Sequence, residues 1–132
     1  MELDKKREDF KKALNRLKES FFEAQKRVDQ KEFEFFRDST IQRFEFTLEI
    51  MWKSIKTYLY EFEGVECRSP KSCLREFFSL GNLSEEDVVL ALKMVDDRNL
   101  ASHTYHEDIA NDIFNSIEKY IKLLEKIYES IK

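Results

Sequence analysis

Residues 3–28 read LDKKREDFKKALNRLKESFFEAQKRV, and apolar side chains recur through them with a period of seven. Leu3, Phe10, Leu17 and Ala24 form one series, and Leu14, Phe21 and Val28 interleave with it. Such a spacing holds one stripe of an α-helix against a partner helix at a shallow crossing angle. The stretch therefore predicts a first helix running from about Leu3 to beyond Val28, packed along a second long helix.

The rest of the chain supplies the partners. Arg37, Asp38, Ser39 and Thr40 read as a helix start, with Asp38, Ser39 or Thr40 as N-cap. A second seam follows in Ile41, Phe44, Leu48, Met51, Ile55, Tyr58 and Phe62, and Gly64 is its stop. Ser69-Pro70 is a cap with proline in the first turn, opening a short helix with Cys73, Leu74, Phe77 and Phe78 that ends near Gly81. Ser84 and Asp87 resemble a capping box for a fourth helix through Val88, Leu92 and Val95. From about Asp108 a last helix offers Ile113, Ile117, Tyr120, Leu124, Ile127 and Ile131 to the core. The expected fold is all-α: an up-and-down helical bundle of three long helices plus two shorter ones, read as one domain over residues 1–132.

Composition agrees. Two glycines and one proline in 132 residues leave too few turn residues for an all-β fold. Hydrophobic residues at 42% and charged residues at 38% provide both a core and a solvated surface, which argues against disorder. The formal charge of −4 excludes a generic nucleic-acid coat, although residues 1–31 carry more basic than acidic side chains. No apolar run approaches a membrane span, and the charged N-terminal stretch is unlike a signal peptide, so a cytoplasmic protein is expected. In that compartment Cys67 and Cys73 are expected to be reduced thiols. Phe33, Phe35 and Phe36 read as a local aromatic core at a helix junction, with a partner-facing patch as the alternative.

The chemistry-bearing residues gather in one place. Asp96 to Asp108, expected to link the fourth and fifth helices, holds an arginine, both histidines of the chain, a tyrosine and four carboxylates. A polar junction with capping residues explains such a stretch without function. The ordered spacing Arg98-x4-His103-x-Tyr105, with Asn99 directly after the arginine, says more. It resembles the signature of HEPN-domain ribonucleases, and the string Arg98 to Tyr105 resembles the HepT-like toxin subfamily. Members of that subfamily are encoded beside minimal nucleotidyltransferases and were formerly described as nucleotidyltransferase substrate-binding proteins. Gln42 to Glu49 with Trp52-Lys53, and Ser69-Pro70-Lys71 leading into Leu74-Arg75-Glu76, are similar to the same subfamily, so the resemblance spans nearly the whole chain.

That resemblance implies a homodimeric, metal-independent endoribonuclease that needs no cofactor and is the toxin of a toxin–antitoxin pair. His103 is the residue class that moves protons near neutrality, and Arg98 can hold a phosphate through parallel hydrogen bonds. Asn99 would orient His103 or the phosphate, and Asp97 and His106 would be accessories, the aspartates either pairing with Arg98 or merely solvated. Tyr105 would accept AMP from the cognate minimal nucleotidyltransferase, placing phosphodiester charge where RNA belongs. Because the segment is acidic, attraction for RNA is assigned to Lys and Arg of the first helix across the dimer. The alternative is a non-catalytic subunit that binds substrate or nucleotide for a nucleotidyltransferase. Glu45 and Glu49 read as a solvated flank, with a role in positioning Arg98 only if they face the cleft.

Other chemistries fit poorly. A Cys67/Cys73/His103/His106 metal site has the wrong ligand spacings, and a di-iron bundle lacks its Glu-x-x-His pairs. With glycine only at positions 64 and 81 there is no phosphate-cradling loop.

Overall fold

The structure, a computed structural model, describes residues 2–103 and 106–131, with His103 described by its backbone only. Among these residues there are five helices and no strand: α1 (Glu2–Gln25), α2 (Phe33–Glu63), α3 (Pro70–Ser79), α4 (Glu85–His103) and α5 (Glu107–Ser130). Lengths of 24, 31 and 24 residues for α1, α2 and α5 against 10 and 19 for α3 and α4 give the expected three long and two shorter helices. No described helix is long and apolar enough to cross a membrane.

α1 and α2 lie side by side. The heptad series holds as far as Ala24, with Leu3, Phe10, Leu14, Leu17 and Ala24 buried. Small hydroxylated residues line the α2 side of this contact. Thr47 Oγ1 donates to the Arg43 carbonyl at 2.7 Å and lies 3.2 Å from the Ala13 carbonyl of α1. Seven residues on, Ser54 repeats the arrangement with Ile50 and Lys6. The hydroxyls are satisfied within their own helix, so they can be buried while α1 comes close.

The first helix is shorter than its sequence suggests. It ends at Gln25, and Val28 is exposed. The Arg27 guanidinium donates to the Glu23 carbonyl at 2.8 Å, and the Arg27 amide closes on Ala24 at 3.0 Å. Both contacts answer carbonyls that a continuing helix would have used, which is how a basic side chain caps a C-terminus. α2 in turn starts earlier than expected. Arg37 to Thr40 lie inside it rather than at its cap, because aromatic contacts hold the extra turn. Phe33 meets Phe114 edge-on at 5.1 Å, and Arg27 lies 4.2 Å over the Phe36 ring. Phe35 alone of the three points to solvent. At the other end Gly64 takes φ 65°, and its amide caps Leu59 as expected.

The core runs through Phe44, Leu48, Met51, Ile55 and Leu59 of α2; of the last two seam residues Tyr58 packs half-buried against Phe77, and Phe62 is exposed. α5 contributes the predicted series from Ile113 to Ile127, and Ile131, its C-cap, is buried as well. α3 closes one end with Leu74 and Phe77, started by a Ser69–Ser72 capping box. Ser84 caps α4 through the Asp87 amide at 3.1 Å.

The expectation of two free thiols is overturned: Cys67 and Cys73 form a disulfide. The turn into the Ser69 cap brings their Cα atoms to 5.2 Å, within bridging range. Compartment chemistry carries no information on that proximity.

Candidate functional site

α4 does not stop before the signature; it carries it as far as His103. Asp96 to His103 form its last two turns, so this part of the expected link between helices is itself helix. Ala91, Met94 and Val95 are buried and fix α4 against the core. The next residues emerge at the α2–α4 seam.

Arg98 is held from α2, not by its neighbouring aspartates. Its Nη2 lies 3.6 Å from Glu49 Oε2, with the arginine side chain 31% exposed. That distance is an ion pair rather than a hydrogen bond. Its Nε is enclosed and has no hydrogen-bond partner among the described residues. Arg7 Nε shares that description, but the Arg7 guanidinium rests over the Tyr128 ring at 4.9 Å. Glu49 is anchored in turn by the Trp52 indole at 3.1 Å and Lys53 at 3.1 Å. Partial burial pushes the Glu49 carboxyl up, but Trp52, Lys53 and Arg98 outweigh it and hold the group below the usual carboxylate range. One turn along, the Ser102 hydroxyl lies 3.2 Å from Glu45 Oε1. The two α2 carboxylates that the sequence suggested were a solvated flank therefore tie α2 to the end of α4. Their four-residue spacing against the same spacing of Arg98 and Ser102 was the signal available.

The aspartates have other partners. Asp97 accepts from the Tyr120 hydroxyl and lies 3.3 Å from Lys93 Nζ, while Asp96 pairs with Lys71 at 2.6 Å. Neither pairing with Arg98 nor simple solvation describes Asp97, whose side chain is 13% exposed. Tyr120 stacks on Phe44 at 5.4 Å; its burial, then Asp97, drives its hydroxyl pKa upward. Asp97 thus locks the base of the last turns of α4 onto α5.

Asn99 is exposed, with no side-chain hydrogen bond among the described residues. His103 ends α4; five residues after Arg98, it stands about 7.5 Å further along the axis and about 140° around it. Its side chain and all of Tyr105 lie outside the described residues. His106 is the N-cap of α5, exposed and without a side-chain cap bond. Among the described residues no cluster of His, Cys, Asp and Glu could hold a metal ion.

Beside this segment, between the first half of α2, the end of α4 and the start of α5, lies a cleft of about 550 Å³. Ala101 and His106 reach its wall, whereas Arg98 and Asn99 do not. Arg37, buried despite its charge, donates through Nε to Asp38 and through Nη1 to Asn111, both at 3.0 Å, with Glu107 at 3.7 Å. Nothing in the sequence marked Arg37, because its burial depends on α5 crossing above it.

The chain matches the family described as nucleotidyltransferase substrate binding protein like over residues 5–132. It belongs to that family. A solved crystal structure of a protein from Thermus thermophilus is similar to it at 40% identity and a TM-score of 0.83, with 93% of this chain and 98% of that one covered. No curated protein matches.

Proposed function

We propose that this chain is a metal-independent endoribonuclease, the toxin of a cytoplasmic pair in which a minimal nucleotidyltransferase is the antitoxin. The observation that carries the reading is Arg98. A guanidinium whose enclosed Nε has no hydrogen-bond partner among the described residues, braced from behind by Glu49, is a costly arrangement for a purely structural residue. With its side chain 31% exposed, the fork still offers its Nη donors to an incoming phosphate. Glu49 holds the fork at a distance that a phosphate can outcompete.

His103 removes the proton from a ribose 2′-hydroxyl, whose oxygen attacks the adjacent phosphorus. Arg98 stabilises the charge gathering on the phosphate oxygens. The bond to the 5′-oxygen breaks, and the leaving oxygen takes a proton, giving a 2′,3′-cyclic phosphate and a 5′-hydroxyl. One chain supplies one such histidine, so a second copy across a shared cleft supplies the acid. Phe35, Phe46 and Tyr60, all exposed on one stripe of α2, support a homodimer through that face. Asn99 orients the phosphate or His103. Asp97 acts at one remove, through its hold on α5, and His106 lies at the rim. AMP transferred to Tyr105 by the nucleotidyltransferase fills the phosphate position and silences the enzyme.

The test is cleavage of RNA by the purified, unmodified chain in EDTA, with cyclic-phosphate ends in the product. Arg98→Ala and His103→Ala are expected to lose at least about 100-fold in rate. Full activity in both variants would end the proposal. An intact mass raised by whole AMP units after exposure to the nucleotidyltransferase, and not in Tyr105→Phe, tests the silencing step.

A second reading is favoured by the family description and by the cleft: a non-catalytic subunit that binds substrate or nucleotide for a nucleotidyltransferase. It requires that the isolated chain leave RNA intact.

A further inference from the structure

We infer that the Cys67–Cys73 bridge is a thiol–disulfide exchange site, opened at Cys67 by a small thiol that carries two carboxylates and one ammonium group. The two sulfurs differ in access. Cys73 is wholly buried in α3, whereas Cys67 keeps 5% of its surface and forms part of the wall of a hollow of about 340 Å³ beside the C-terminal end of α2. That volume lies in the range of small-molecule sites. Lys56, Tyr60, Glu66 and Arg68 complete the wall. A thiol entering the hollow therefore meets Cys67, and Cys73 is the sulfur that leaves.

The charges around Cys67 select the thiol. Lys56, Glu66 and Arg68 are exposed, and none of the three forms an ion pair among the described residues. Cations beside a sulfur attract a thiolate nucleophile and stabilise the thiolate that exchange produces. Two cations and one carboxylate around a sulfur complement two carboxylates and one ammonium around a thiol. A neutral thiol gains little there, and a cationic one is repelled. Cys73 lies in the first turn of α3, its amide 2.9 Å from the Ser69 carbonyl. The N-terminal amides of that helix favour its departure as a thiolate.

The exchange runs in two steps. The ligand thiolate bonds to Cys67 Sγ as the bridge breaks, and the electron pair leaves on Cys73 Sγ, which takes a proton from water. A second ligand thiolate attacks the ligand sulfur of the mixed disulfide and frees Cys67. Two ligand thiols are thereby oxidised to one ligand disulfide, and the bridge is reduced to two thiols. In the reducing compartment that the proposed function implies, bridges of this kind are transient. The exchange involves neither Arg98 nor RNA, so it stands or falls apart from cleavage.

The experiment follows opening of the bridge in the oxidised full-length chain by three thiols: glutathione, which has this charge pattern, neutral 2-mercaptoethanol and cationic cysteamine. Acid quenching, alkylation and intact mass give the rates, each normalised to the same thiol's rate on a small neutral disulfide. Peptide mass locates the mixed disulfide. Glutathione is expected to open the bridge at least about tenfold faster than cysteamine, with mercaptoethanol between them and the adduct on Cys67. High salt is expected to narrow that gap. Lys56→Glu combined with Arg68→Glu, both at exposed positions, is expected to slow glutathione at least about tenfold and leave mercaptoethanol within about twofold. The salt arm uses the unaltered chain and so decides the matter even where the double variant folds poorly. Equal normalised rates for the three thiols, rates indifferent to salt, an adduct on Cys73, or a chain that forms no bridge in glutathione disulfide overturns the inference.

Discussion

The two faces of α2 do different work. Its inner face packs Phe44, Leu48, Met51 and Ile55 into a dry core, where each fully buried side chain contributes about 1.5–3 kcal/mol. Its outer face carries Glu45 and Glu49, which engage Ser102 and Arg98, and the exposed rings of Phe35, Phe46 and Tyr60. Half-exposed ion pairs like Arg98–Glu49 contribute about 1 kcal/mol at most. The outer face therefore does little for stability, and its polar ties make sense as a means of aiming side chains. One helix thus supplies the scaffold on one side and the candidate site on the other.

Four experiments can break that division. Phe44→Ala should cost about 3–5 kcal/mol in urea unfolding, since it removes a wholly buried ring and the stacking surface of Tyr120. RNA cleavage, corrected for the folded fraction, should change far less. Arg98→Ala should show the opposite pattern: a loss of about 100-fold in cleavage with unfolding free energy unchanged within about 1 kcal/mol. If the two variants behaved alike in both assays, the faces would not be separable.

The far end of α2 gives a third test. The Cys67–Cys73 bridge closes a short loop between α2 and α3, so reduction or Cys73→Ser should lower stability by about 2 kcal/mol without altering the Arg98 end of the molecule. Equal stability with and without dithiothreitol would show that the thiols are not bridged in solution.

The smallest effect belongs to Glu49. Its carboxyl titrates lower in the folded chain than in the unfolded one. Its contribution is complete above about pH 4.3 and fades as pH falls through the lower folded value. Glu49→Gln should flatten the acid limb of the stability profile by less than about 1 kcal/mol, because the pair is partly screened by water. A steeper acid limb in the variant would reverse the assignment.

Much of the bundle was legible in the residues alone. The heptads of α1 as far as Ala24, the inward series of α5, the Ser69-Pro70 and Ser84 starts and the Gly64 stop are all local signals, and each one holds. The α1–α2 junction was less legible. Its boundaries depend on Arg27 capping Glu23 and on Phe33 meeting Phe114, a residue far along the chain. At the site, the order Arg98, Asn99, His103 was readable, but the partners were not. Asp97 looked like a mate for Arg98 by adjacency. On a continuous helix, adjacent side chains diverge by about 100°, so Asp97 reaches Tyr120 and Arg98 reaches Glu49.

The sequence by itself determined that this chain is a helical bundle and that its proton-transferring and phosphate-holding residue types crowd into one short segment. Periodicity, caps and residue chemistry are properties of the chain taken a few residues at a time. Only the tertiary structure decided that Asp96 to His103 are the end of α4, that Glu49 braces Arg98, that Arg37 is buried beside a cleft and that Cys67 meets Cys73. Each of these depends on which elements pack together, and the direction a side chain takes is fixed by packing rather than by its neighbours in sequence.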